Sequence, residues 1–85
     1  MKILLYFDWM GSRKEVKGWA TKIMKACEET GVEYVGLYGT MNQKWHYTAM
    51  FDATSYDEFL KMAWKVPRPQ NMTHYIHELL IDIRV

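Results

Sequence analysis

The sequence predicts a single small α+β domain over residues 1–85, in the order strand-helix-strand-strand-helix-strand. Three observations predict it. Two Ser-x-x-Glu boxes, at 12–15 and 55–58, each open an apolar stripe at helical spacing. Four short runs rich in β-branched and aromatic residues separate and flank those stripes. The link between the second and third runs is short, which makes them an antiparallel hairpin.

Residues 2–9, Lys-Ile-Leu-Leu-Tyr-Phe-Asp-Trp, are apolar on both phases, as in a strand covered on both faces. Gly11 breaks the run. Ser12 then caps a helix, its hydroxyl accepting from the Glu15 amide while Glu15 reaches back to Ser12. Val16, Trp19, Ala20, Ile23, Met24 and Cys27 follow in steps of three and four along one face. Gly31 suits the left-handed position that ends a helix.

Residues 32–39, Val-Glu-Tyr-Val-Gly-Leu-Tyr-Gly, read as the second strand. Residues 40–43 read as a polar connection, and 44–51, Lys-Trp-His-Tyr-Thr-Ala-Met-Phe, as the third strand. Ser55 and Glu58 form the second capping box. Tyr56, Phe59, Leu60, Ala63 and Trp64 make the apolar face behind it, and Pro67 and Pro69 end the helix. Residues 67–73 are a loop. The last strand runs from Tyr75 to Val85, with Leu79, Ile81 and Ile83 in one phase and Glu78, Leu80, Asp82 and Arg84 in the other.

A third strand inserted between the first two makes this the ferredoxin-like βαββαβ plait. Its sheet order is 4-1-3-2, and the right-handed crossover rule puts both helices on one face. The other face has no covering element. Sequence alone does not fix the register between strands, but either phase leaves apolar and aromatic groups on the bare face. Monomers rarely expose such a patch.

Composition narrows the partners. Eleven basic residues nearly balance ten acidic ones, for a net charge of +1. That leaves no electrostatic footprint for duplex DNA or an anionic membrane. No apolar run approaches the ~20 residues of a membrane span. The single cysteine, Cys27, allows neither an internal disulfide nor a cluster held by several thiolates, and a reducing cytoplasm is the expected setting. A hydrophobic fraction of 49% is more than one small core hides, so a second copy or a ligand is expected to cover the remainder.

Several segments carry a resemblance. They are Val32-Glu33-Tyr34-Val35-Gly36-Leu37-Tyr38-Gly39, Trp45-His46-Tyr47-Thr48-Ala49-Met50-Phe51-Asp52-Ala53, Ser55-Tyr56-Asp57-Glu58-Phe59 and Ile76-His77-Glu78-Leu79-Leu80. In element order and spacing the chain resembles the dimeric α+β-barrel superfamily. Within it, the chain is similar to small uncharacterised families related to muconolactone isomerase and the antibiotic-biosynthesis monooxygenases. The resemblance implies a homodimer whose two sheets face each other, with a small pocket between sheet and helices in each subunit. It implies no particular reaction and assigns no catalytic residue.

Histidine suits proton transfer near neutrality. His46, between Trp45 and Tyr47, reads as a general base or haem ligand in a pocket, or as a half-buried sheet residue with one hydrogen bond. His74 and His77 would share a face on a helix and bind a metal, but on a strand they point to opposite faces. His77 then shares the phase of Leu79 and faces the helices. Cys27, mid-stripe, reads as a small buried hydrophobe. Tyr6, Asp8, Tyr38 and Thr48 are polar groups on apolar strands, the usual form of a small-ligand site, or strand-end groups that reach solvent or pair across a dimer. Trp9 and Trp45, at strand ends, are pocket candidates. Trp19 and Met24 read as core filler.

The expected function is a homodimer that binds a small apolar or aromatic molecule. Isomerisation or cofactor-free oxygenation would fit, with His46 or His77 as base. No metal or cofactor is called for. The alternative is a non-enzymatic interaction or regulatory module that uses its exposed sheet face. RNA binding is disfavoured, because the basic-Gly-aromatic signature of an RNA-recognition motif is absent.

Overall fold

The computed structural model describes residues 1–41 and 44–83. The elements are β1 (Lys2–Trp9), α1 (Arg13–Thr30), β2 (Glu33–Gly39), β3 (Tyr47–Asp52), α2 (Tyr56–Ala63) and β4 (Met72–Leu80). They form one antiparallel sheet of order β2-β3-β1-β4, the 4-1-3-2 plait read from the other edge. The smallest dimension, 17 Å against 39 and 30 Å, fits one layer of sheet and one of helices.

Local chemistry explains the helix ends. Ser12 Oγ accepts from the Glu15 amide, and Glu15 Oε1 accepts from the Ser12 amide at 2.9 Å. That contact to Ser12, with a further one from Asn71, holds the Glu15 carboxyl below its ordinary pKa. Gly31 closes α1 at φ 77°, its amide donating to the Cys27 carbonyl. In α2 the box is half made. Ser55 Oγ accepts from the Glu58 amide, but the Glu58 carboxylate pairs with Lys61 at 3.2 Å. α2 stops at Ala63, four residues before Pro67, whose ring and missing N–H bar another turn.

The register settles which phase faces the helices. Ile3, Leu5, Phe7 and Trp9 of β1 lie on the covered face, beside Ala49 and Phe51 of β3. Val16, Trp19, Ile23, Phe59 and Met62 pack down on them, and Phe7 meets the Trp19 ring edge-on at 5.1 Å. Among the described residues, no polar or charged residue is fully buried. Cys27 is a core member, and burial pushes its thiol up to about 11, as an inert thiol requires.

The structure shifts several boundaries. Met24 stands out of the α1 stripe, 45% exposed, and Ala26 is buried in its place. Trp64 is 78% exposed beyond α2, while Met62 fills the core. β3 begins at Tyr47, opposite the end of β2 at Gly39, so Lys44 to His46 lie outside it. β4 starts earlier than Tyr75, at Met72, and ends at Leu80 because its partner β1 begins there, at Lys2. Ile81 and Ile83 therefore lie beyond the strand, exposed. Asn42 and Gln43 of the polar connection, and Arg84 and Val85 of the expected last strand, lie outside the described residues.

Candidate functional site

The helices do not cover the whole sheet. α2 is only eight residues long, and β4 is an edge strand. Tyr75, His77 and Leu79 of β4 sit on the helix side, as their partners Phe7, Leu5 and Ile3 show. Tyr75 and Leu79 nevertheless remain 47% and 43% exposed. A cleft of about 630 Å³ opens between β4, α2 and residues 64–69. That volume lies within the range of small-molecule sites.

His77 lines this cleft, half-buried. Its Nδ1 lies 3.2 Å from the Tyr56 hydroxyl, which stands on the first turn of α2. The Phe59 ring meets the imidazole edge-on at 5.2 Å. Burial holds the His77 pKa below its ordinary value, so the ring is neutral at pH 7. A neutral imidazole has one donor and one acceptor nitrogen. When Nδ1–H donates to Tyr56, Nε2 is a free base. When Tyr56 donates, Nε2–H is a donor. Either form can exchange a proton with a bound molecule.

The far wall is a tied-down loop. Met72 donates its amide to the Pro69 carbonyl at 3.1 Å. Asn71 Nδ2 donates to the Met10 carbonyl at 2.8 Å and to Glu15 at 3.1 Å, and the Met10 amide donates to the Asn71 carbonyl at 2.7 Å. Gly11 is needed at this crossing. Its φ is 145°, and a Cβ there would stand 2.8 Å from both Asn71 and Glu15.

The other sequence candidates lie elsewhere. Tyr6, Asp8, Tyr38 and Thr48 belong to the open face, whose rows the register defines. Tyr38, Thr48, Tyr6 and Ile76 form one row, and Gly36, Met50, Leu4 and Glu78 the next. Trp45 lies near the same face, its ring tilted against that of Tyr6 at 6.3 Å. The Thr48 hydroxyl is covered and has no protein partner. Trp9 is a core residue, 6% exposed, against Phe7 and Trp19. None of these six lines the cleft.

His46 is exposed at one end of the open face. Its amide donates to Asp8 Oδ1 at 3.2 Å, and its Nδ1 accepts from the Trp9 amide at 3.1 Å. Asp8 also lies 3.8 Å from Nδ1 of both His46 and His74. The Trp9 contact occupies the lone pair of Nδ1, so the His46–Asp8 approach is not a hydrogen bond in the neutral form. β4 carries His74 and His77 on opposite faces, as strand spacing requires. Among the described residues, no group of three or more His, Cys, Asp or Glu is placed to hold a metal ion.

Tyr56 and Arg68 are cleft residues that sequence reasoning passed over. Tyr56 was legible as a polar-tipped member of the α2 stripe. Arg68 was signalled by its setting, a cation between Pro67 and Pro69.

Fold and site together define an α+β plait domain with an open sheet face and an apolar cleft beside a histidine. Compared with models of known protein families and with curated proteins, the chain matches none. No described helix is long and apolar enough to cross a membrane.

Proposed function

We propose that the chain is a homodimer that binds a small apolar or aromatic molecule in the cleft between β4, α2 and the 64–69 segment. The observation that carries this reading is His77, half-buried against Tyr56 on the wall of a mainly apolar space of about 630 Å³. Had Trp, Met and Phe filled that space, the interaction-module reading would have gained. In an enzymatic reading His77 is the proton acceptor and Tyr56 sets its tautomer. Isomerisation and cofactor-free oxygenation both begin with such a proton removal.

The dimer part rests on the open face. Its central rows carry Leu4, Met50, Tyr6, Tyr38 and Ile76 beside Thr48 and Gly36, with Glu78 at the β4 edge. Charged and polar groups stand at both ends, Lys2 with Asp52 at one and Asp8 with His46 and His74 at the other. An apolar centre with a polar rim is the anatomy of an interface.

A thermal-shift screen of small aromatic and apolar compounds tests the cleft. Hits should raise Tm in the native chain and lose their effect in Ala63→Trp, which sets an indole into the space. An absence of hits, or hits indifferent to Ala63→Trp, rejects it.

A further inference from the structure

We infer that the cleft takes an anionic, ring-bearing small molecule, a carboxylate, phenolate or sulfonate on an aromatic body, with Arg68 receiving the negative group. The inference rests on the cleft being a ligand site and adds the charge of the ligand.

The lining is electrostatically one-sided. Among the described residues, no Asp or Glu borders the cleft. His77 is neutral at pH 7, because burial lowers its pKa. Arg68 is thus the one formal charge on the described lining. Among the described residues no carboxylate pairs with it; its contact is the Tyr75 ring, 5.4 Å from the guanidinium carbon. A guanidinium over a ring is held by the ring's quadrupole and not by an anion, which leaves its N–H donors without a carboxylate partner among the described residues. Those donors form the fork that matches a carboxylate or sulfonate.

The backbone holds this cation in place. Pro67 fixes the φ before it, and Pro69 restricts Arg68 itself to extended conformations. The Met72 amide and Asn71 anchor the segment to the rest of the fold. On a fixed backbone only the side chain's own rotamers remain to be ordered when an anion binds. The apolar remainder, with Trp64, Leu60 and Pro67 near Arg68 in sequence, suits a ring.

Two fluorescent probes of nearly one shape separate charge from shape: 1-anilinonaphthalene-8-sulfonate and neutral N-phenyl-1-naphthylamine. Each is titrated into the native chain, Arg68→Gln, Arg68→Lys and Ala63→Trp, with circular dichroism to verify folding. Arg68 is exposed, so its variants should fold. The sulfonate should bind the native chain more tightly than the neutral probe. Arg68→Gln should weaken the sulfonate about tenfold or more and leave the neutral probe within about twofold. Arg68→Lys should fall between, and Ala63→Trp should remove both probes. If both bind in the cleft but Arg68→Gln weakens neither, or weakens both equally, the charge inference is overturned and the cleft reading stands. If neither binds, or binding survives Ala63→Trp, both readings are overturned.

Discussion

The two faces of this sheet are built from the same strands and meet opposite fates. On one, Ile3, Leu5, Phe7 and Trp9 are at most 7% exposed under two helices of the same chain. On the other, Ile76, Leu80 and Tyr38 of the outer strands stay between 39% and 50% exposed, and Leu4 at the centre is 9% exposed, flanked by neighbouring strands. The covered face has a packed core, an inert thiol and a buried Trp9 Nε1 without a protein partner. The open face has an orphaned Thr48 hydroxyl and a cluster of Asp8, His46 and His74. The difference teaches that the two phases of β1 suit different neighbours: the covered one is apolar throughout, and the open one sets Leu4 and Tyr6 between Lys2 and Asp8. One neighbour is local, and the other, on our proposal, is a second copy.

Breaking the covered face should have the largest effect. Phe7→Ala removes a fully buried ring and should cost about 3–5 kcal/mol, close to the whole stability of a small domain. Urea denaturation checks it, and Phe7→Leu, which leaves a smaller void, should retain a folded state.

A charge on the open face should instead break assembly. Ile76→Glu should raise the dimer dissociation constant roughly tenfold or more, while monomer stability moves within about 0.5 kcal/mol. Sedimentation and denaturation read the two effects separately. An equal loss of stability in both would mean the faces are not distinct.

Thr48→Val should be smaller still. It keeps the β-branched shape and removes a buried hydroxyl with no protein partner, so urea denaturation should show a gain of up to about 1 kcal/mol. A loss would mean that the hydroxyl finds a partner across the dimer.

The smallest effect is the pH dependence from His77. Its folded pKa lies below the ordinary 6.5 because burial disfavours the charged ring. Above pH 6.5 both states are neutral and this contribution is fully present. As pH falls below 6.5 the unfolded chain takes up the proton first, so stability drops until the folded value is passed. His77→Gln should flatten the stability slope between pH 7.5 and 5.5, measured by urea denaturation. An unchanged slope would place His77 in an ordinary aqueous setting.

The sequence made the covered face legible because its signals are local. Capping boxes, Gly31 and stripes at steps of three and four depend only on neighbours along the chain. The second box overstates α2, since Glu58 has Lys61 as a competing partner one turn on. Strand limits were less legible, because β4 ends where β1 has no more residues to offer. The site was only partly legible. His77 followed from strand phase, once Leu79 marked the covered side. Trp9 and Trp45 look alike at strand ends, yet one is core and the other caps the open face. Tyr56, Arg68 and His77 are remote in sequence, and only the tertiary fold brings them to one cleft.

Sedimentation equilibrium of the native chain at micromolar concentration tests the central claim, that the open face is covered by a second copy, most directly. The account predicts a species of twice the 10.2 kDa chain mass. A strictly monomeric species at those concentrations would contradict it.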